Sequence, residues 1–307
     1  MIEAKSLCKS YGYFKAVDDL SFTVEAGQVL GFLGPNGAGK STTMKMLTGF
    51  LTPTSGTALI NGIDVVENPV AARKSIGYLP EGAPSYGEMT VLQFLTFIAR
   101  ARLIDEKDVP ASVEKTIGKL NLSKVKHQPI DILSKGFKRR VGLAQAIIHD
   151  PQILILDEPT DGLDPNQKRE VRGLIRAMAK DKIIIISTHI LEEVAAVCNR
   201  VMIIADGRLL ADDSPLGLTT RSRYHNAVSL VVEAPEKVAS ALAELPQVRK
   251  VEIREGELTL FPNAEEGLLE AVTAAVKENQ WQVSSLRLEA GRLDEVFHSI
   301  TCAEASA

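Results

Sequence analysis

Residues 29–42 read VLGFLGPNGAGKST, and this stretch decides the fold. The five residues 29–33 form an unbroken apolar run, the pattern of a strand whose two faces are both covered in a parallel sheet. The run leads into GPNGAGKST (34–42), which matches the spacing G-x-x-x-x-G-K-[ST] of a phosphate-binding loop. Gly34, Gly37 and Gly39 lack a Cβ, so the loop can turn tightly and aim backbone N–H groups inward as an anion nest, with Pro35, Asn36 and Ala38 completing it. Lys40 is expected to reach the terminal phosphates, and the Ser41 hydroxyl to ligate Mg²⁺. The segment from Ser41 and Thr42 onward has helical periodicity, and a helix there turns its positive end towards the phosphates. Strand, glycine loop and helix in that order point to nucleotide binding.

Working outward, the same continuous apolar texture recurs in ILIL (153–156), IIII (183–186) and VMII (201–204). Helical periodicity fits residues 40–50, about 90–102, 112–121, 137–149, 165–180 and 190–198. Strands alternating with helices in this way predict an α/β fold with a mostly parallel sheet. The helix-rich stretch from about 88 to 149 reads as an inserted helical subdomain. After about residue 220 the texture changes: TTRSRYHN (219–226) is polar and linker-like. Beyond it a strand (228–233), a helix (236–244), two strands (248–253 and 257–261), a helix (265–278) and a strand (281–288) follow the order β-α-β-β-α-β. That order is the split βαβ, ferredoxin-like pattern. A short amphipathic segment from Leu293 to Ile300 closes it.

Composition excludes several classes. A net charge of −4 argues against general nucleic-acid binding. Cys8, Cys198 and Cys302 are scattered without a CxxC pair or a His cluster, which argues against a disulfide framework or a zinc site and for a reducing cytoplasm. The amino-terminal MIEAKSLCKS has no apolar core of a secretory signal. The longest apolar runs fall far short of the ~20 residues that span a bilayer. Any membrane work requires another chain.

Two further segments carry chemistry. In ILILDEP (153–159), Asp157 stands at the end of a buried strand, where P-loop enzymes hold Mg²⁺, and Glu158 follows where it can orient or deprotonate an attacking water. LSKGFKRRVGLAQA (133–146) carries four cations, Lys135, Lys138, Arg139 and Arg140, running into an apolar helix. As a charge pattern it fits a nucleic-acid patch, a solvated helix start or part of a phosphate site. It directly precedes ILILDEP, and STHIL (187–191) follows the next helix.

In type, order and spacing these segments resemble the ATP-binding cassette of ABC transporters over about residues 1–215. The tail more weakly resembles the extra domain on ATPase subunits of bacterial drug, polysaccharide and gliding-motility type exporters. The resemblance implies a P-loop cassette (1–218) with a mostly parallel core sheet, antiparallel strands and a helical subdomain. It also implies a linker (219–226) and a small α+β accessory domain (227–307). Tyr11 matches the aromatic that stacks on adenine, with Tyr13 and Phe14 as alternatives. Glu81, in IGYLPEG, stands where the family has glutamine and matches a contact to Mg²⁺ or the lytic water. Ser134 and Gly136 keep the two signature positions that face a partner's γ-phosphate. Lys135 replaces a signature glycine, and Phe137 replaces the glutamine that faces the ribose. In DGLDP (161–165), Asp164 matches the aspartate that crosses the dimer interface, and His189 matches the switch histidine.

The function so implied is an ATPase (ATP plus water to ADP plus phosphate) with Glu158 and His189 catalytic. Mg²⁺ is held by Ser41, Glu81 and Asp157. Two copies, or a copy and a related ATPase, sandwich ATP and drive transport, preferably export, through separate multi-span permease subunits. The chain is then cytoplasmic, peripheral on the cytoplasmic face of the cell membrane. The alternatives are a non-transport ABC ATPase acting on ribosomes or DNA, disfavoured by one phosphate loop and no sustained heptad, and a small-molecule kinase.

Overall fold

The glycine loop of residues 34–42 hangs from the centre of a six-stranded sheet. The computed structural model describes residues 1–263 and 267–304 and divides into two units, Met1–Ser214 and Pro215–Ala307. In the first unit, β1 (Ile2–Tyr11) and β2 (Phe14–Val24) form an antiparallel pair running from Ile2↔Val24 to Tyr11↔Phe14. Next come β3 (Val29–Leu33), α1 (Lys40–Leu47), β4 (Ser55–Ile60), β5 (Ile63–Asp64), α2 (Pro69–Lys74) and β6 (Ile76–Leu79). Three helices follow: α3 (Val91–Ala101), α4 (Val109–Lys119) and α5 (Lys135–Ile147). The unit ends with β7 (Ile153–Asp157), α6 (Pro165–Met178), β8 (Ile183–Thr188), α7 (Leu191–Val197), β9 (Arg200–Ala205) and β10 (Arg208–Asp213). One sheet has the order β2-β1-β4-β5 and is antiparallel; the other has the order β10-β9-β3-β8-β7-β6. In the second sheet every pair from β9 to β6 is parallel, and only β10 runs against its neighbour.

The unbroken apolar runs are explained by a core on each side of that sheet. Ile153, Ile155, Ile183 and Ile185 pack with Leu30, Phe32, Met44 and Leu47 on the α1 side. Leu154, Leu156, Ile184 and Ile186 point the other way, into a cluster with Phe94, Leu95, Val141 and Leu143 of the helical segment. Because side chains alternate between faces, a strand needs apolar residues at every position when both faces are covered. Each fully buried side chain of this kind contributes about 1.5–3 kcal/mol. Parallel pairing also sends the C-terminal ends of β3, β8, β7 and β6 to one edge, the place where open α/β sheets bind ligands.

Helix starts follow local chemistry. Thr90 and Gln93 form a reciprocal capping box at α3. α5 begins at Lys135, two residues before the expected start at 137. Ser134 makes the difference, because its hydroxyl caps the helix by accepting from the Phe137 N–H at 3.4 Å.

The second unit holds α8 (Pro215–Thr220), β11 (Val228–Val232), α9 (Pro235–Ala243), β12 (Val248–Arg254), β13 (Glu257–Pro262), α10 (Leu268–Glu278), β14 (Val283–Leu288) and α11 (Leu293–Glu304). Its sheet order is β12-β13-β11-β14 with every pair antiparallel, so each βαβ connection skips one strand. Val228, Leu230, Leu258 and Leu260 on one face pack against Val238 and Leu242 of α9 and Leu268 and Val272 of α10. Residues 265 and 266, where the expected helix 265–278 starts, lie outside the described residues, as do 305–307 of the expected domain. Residues 219–226 lie inside this unit and bury Ser222 and Tyr224. The Ser222 hydroxyl donates to Glu295 at 2.7 Å, and the Arg292 guanidinium lies 3.9 Å from the centre of the Tyr224 ring. A polar composition thus reads as linker in sequence, although its groups are used in packing.

His149 follows α5, and its Nε2–H donates to the Ile76 carbonyl at 3.2 Å. Burial, then the nearby Arg102 cation, pushes its pKa from 6.5 down to about 4. Between those values the unfolded chain takes up a proton that folded His149 refuses, so stability falls as pH drops from 6.5 towards 4. Denaturant melts across this window should show a shallower loss of stability in His149→Gln than in the parent.

Candidate functional site

At the end of β3 the backbone has no room for side chains. A Cβ on Gly34 would meet the Ile204 carbonyl oxygen at 2.4 Å, and one on Gly39 would meet that of Ala16 at 2.4 Å. Gly39 also sits at φ 99°, a left-handed conformation open to glycine, immediately before α1. Lys40 folds back over the loop, its ammonium donating to the carbonyls of Gly34 at 2.7 Å and Pro35 at 3.0 Å. Burial pushes its pKa down, against the pull of Glu158, Asp157 and Glu81. A partly desolvated cation cradled by carbonyls is poised for an anion that satisfies it better.

Asp157 ends β7 and is fully buried. Its Oδ1 accepts from the Ser41 hydroxyl of α1 at 3.2 Å and from the Ser187 hydroxyl of β8, while Oδ2 is buried without a partner. Glu158 sits at φ 50°, a left-handed conformation that costs a non-glycine residue about 1–3 kcal/mol. Its N–H donates to the Ser187 carbonyl at 3.1 Å and to the Ser187 hydroxyl at 3.2 Å. Its Oε1 accepts from the half-exposed His189 Nδ1 at 2.9 Å, and its Oε2 is buried without a partner. Burial pushes the Glu158 carboxyl up, and the His189 hydrogen bond opposes that shift. Two adjacent carboxylates thus each keep one buried oxygen without a hydrogen-bond partner, and of the two residues Glu158 faces the space beside Lys40 and Ser41.

That space is a cleft of about 350 Å³ lined by Tyr11, Phe14, Asn36, Gly37, Gly39, Lys40, Ser41, Thr42, Glu81 and Glu158. Tyr11 and Phe14 are cross-strand partners at its rim, and Tyr13 points wholly into solvent. Lys9 Nζ lies 5.4 Å from the Tyr11 ring centre. Of the expected residues, Gly34, Pro35, Ala38 and Asp157 do not line the cleft, and His189 joins it through Glu158.

Ser134, Gly136 and Asp164 do not line this cleft. Gly136 and Asp164 meet at Gln167 of α6, while Ser134 caps α5 two residues before Gly136. The Asp164 carboxylate caps that helix by accepting from the Gln167 N–H at 2.9 Å, and the Gln167 side chain lies so close over Gly136 that a Cβ there would meet its Oε1 at 2.3 Å. Lys135 is exposed with its stem beside Gly162. Phe137 is half-buried, with the Arg140 guanidinium 5.5 Å from its ring centre, and Arg140 pairs with Glu170 at 2.9 Å.

Two functional candidates were hidden in the sequence. Arg139 is buried and donates to the backbone carbonyls of Asp157 at 2.5 Å, of Glu158, and of Pro80 at 3.4 Å. Its signal was helical spacing, since Gly136, Arg139, Leu143 and Ala146 share the buried face of α5. Glu193 is also buried, accepting from Thr160 and, at 3.1 Å, from Thr188, so it ties the turn after β7 to the end of β8. Nothing in its local sequence marks that role.

A family model described as ABC transporter matches residues 17–161. The chain is 36% identical over 261 residues to a Bacillus subtilis (strain 168) protein named uncharacterized ABC transporter ATP-binding protein YxlF, covering 85% of this chain and 86% of that one. It is 36% identical over 253 residues to the Nod factor export ATP-binding protein I of Rhizobium meliloti, covering 82% and 75% respectively. A solved structure described as the ATP-binding subunit of an ABC transporter superposes with a TM-score of 0.67 at 29% identity, covering 72% of this chain and 92% of that one.

Gly39→Ala places a Cβ against the Ala16 carbonyl and forces a left-handed alanine. Loop distortion of about 1–3 kcal/mol corresponds to a loss of ATP affinity on the order of 5- to 150-fold. Calorimetric titration should register that loss while circular dichroism stays at parent level.

Proposed function

The chain belongs to the ABC transporter family as an ATP-binding subunit that hydrolyses ATP, and from that premise we propose that it powers an exporter by binding ATP between two cassettes. The observation that carries the two-cassette reading is a separation. Lys40, Ser41 and Glu158 line the cleft, whereas Ser134, Gly136 and Asp164 do not, and Gly136 and Asp164 meet instead at Gln167. A second copy related by a twofold axis presents its Ser134 and Gly136 to the nucleotide in this cleft, and this chain returns the contact.

In this reading adenine stacks at the rim on Tyr11, with Phe14 beside it. The phosphates occupy the nest of residues 34–42, and Lys40 exchanges its carbonyl contacts for phosphate oxygens. The residues also fit Mg²⁺. Among the described residues no cluster of three or more His, Cys, Asp or Glu side chains forms a metal cage. Mg²⁺ in such sites instead takes one or two protein oxygens together with phosphates and waters. The Ser41 hydroxyl and Asp157, whose Oδ2 is buried without a partner, would supply them, with Glu81 at the cleft wall. When bound, the ion offsets phosphate charge. Glu158 uses Oε2 to orient water and take its proton, while His189 holds Oε1 and fixes the carboxylate's rotation. Loss of the γ-phosphate removes the bridge between cassettes and lets them part.

Coupling to separate membrane-spanning subunits is supported by the family and by a groove of about 770 Å³ lined by Phe50, Val70, Arg73, Arg102, Leu103 and Ile104, where a partner has room to dock. No helix among the described residues is long and apolar enough to cross a membrane. The likeness to a Nod factor export protein supports export, and this reading places the chain at the cytoplasmic face of the membrane. Recovery, from solubilised membranes, of a multi-span partner that stimulates the ATPase tests the transport reading; ATPase indifferent to any such partner would sink it.

Two measurements test the site. Glu158→Gln should cut turnover by about 10²–10⁴-fold while ATP still drives dimer formation in size-exclusion chromatography. Tyr11→Ala should weaken ATP binding by about 5- to 150-fold, the equivalent of the ~1–3 kcal/mol of one base–aromatic stack.

A further inference from the structure

Arg139 is the odd member of the basic run 135–140. Lys135 is exposed, Lys138 is half-exposed, and Arg140 is paired with Glu170. Arg139 alone among them is buried, at 6% exposure. A buried guanidinium is costly to desolvate and is usually met by a carboxylate. Its hydrogen bonds go instead to three backbone carbonyls: Asp157, Glu158 and, from the other side, Pro80. Burial disfavours its charged form, and Asp161, Asp157, Glu158 and Glu81 oppose that at longer range. Its Nε is buried without a partner, so the group lies where those carbonyls need it rather than where all its own donors are met.

The carbonyls it holds belong to the turn that aims the lytic carboxylate. Glu158 keeps a left-handed backbone, and such a conformation persists only when its surroundings over-determine it. Ser187 holds the N–H side of Glu158, and Arg139 holds the carbonyl side. Pro80, the third point of contact, directly precedes Glu81 on the cleft wall. One rigid fork therefore links three segments: helix α5, the loop after β6 and the turn after β7.

We propose that Arg139 is a positioning residue for hydrolysis, clamping the Glu158 backbone so that its carboxylate points at the attacking water and moves with the loop at residues 80–81. The inference rests on Glu158 acting on that water. A lysine in the same place offers a point charge without the planar fork, so it cannot hold the carbonyls in the same way.

The test is steady-state ATPase kinetics on the full chain carrying Arg139→Gln, Arg139→Lys, Glu158→Gln, and Arg139→Gln combined with Glu158→Gln. Misplacing a catalytic group by about 1 Å costs on the order of 10²-fold, so Arg139→Gln should lose about that in kcat with KM for ATP within about threefold. Arg139→Lys should recover part of the loss, remaining about tenfold slow. The double variant should be no slower than Glu158→Gln alone, because both changes act through one group. Parent-level kcat in Arg139→Gln, a KM rise that matches the kcat loss, or losses that multiply in the double variant would each overturn the proposal. Should Arg139→Gln fail to fold, Arg139→Lys decides: a tenfold loss of kcat at constant KM supports the clamp, and parent-level kcat refutes it. Parent-level turnover in Glu158→Gln removes Glu158 from its role, and the clamp with it. That failure is distinct from one in which Glu158→Gln is slow and the Arg139 variants are not.

Discussion

A single buried carboxylate organises the site. Asp157 Oδ1 takes hydroxyl protons from Ser41 at the start of α1 and Ser187 at the end of β8, while its own backbone ends β7. Charge so deep in a protein is tolerated only when hydrogen bonds answer it. The bonds to Asp157 therefore pin the glycine loop, the strand bearing Glu158 and the strand leading to His189 to one point. Parallel pairing of β3 with β8 and of β8 with β7 makes this possible by bringing the three strand ends to the same edge. The oxygen left over, Oδ2, is buried without a hydrogen-bond partner.

The arrangement around that point is an incomplete one. The cleft is lined by Tyr11, Phe14, the glycine loop, Lys40 and Glu158, yet Ser134 and Gly136 lie outside it, and Gln167 joins Gly136 to the Asp164 turn. Gly136 carries no side chain because Gln167 fills the place where one would go. The second surface is thus as closely built as the first, which accords with two surfaces meeting across a pair of chains rather than within one.

Communication between these regions runs through few atoms. Arg139 touches both the loop at residue 80 and the turn at 157–158, and Glu193 bridges Thr160 and Thr188. Helix α5 begins at Lys135 and carries Arg139 one turn later, so the helical segment contacts the backbone of Asp157 and Glu158 directly. The groove beside Arg102 and His149 touches the same segment, at the end of α3 and just after α5.

Local sequence was sufficient where the chemistry is local. GPNGAGKST must turn and expose N–H groups whatever surrounds it, and ILIL and IIII admit no polar face, so the phosphate loop and a sheet covered on both sides were legible at once. Helix starts were less so: Ser134 caps α5 two residues earlier than apolar periodicity suggested, because a cap is one hydrogen bond rather than a pattern. What tertiary structure alone decided is which polar groups are buried and what answers them. Arg139 was one of four cations in a run whose charge pattern fitted several roles, and its burial became visible once β7 and the loop at residue 80 supplied its acceptors. Likewise 219–226 read as a linker until Glu295 and Arg292, some 70 residues on, packed against Ser222 and Tyr224. The reason is the same in both cases. Apolar burial is written in the residue itself, whereas burial of a polar group depends on a partner that only the folded chain brings within reach.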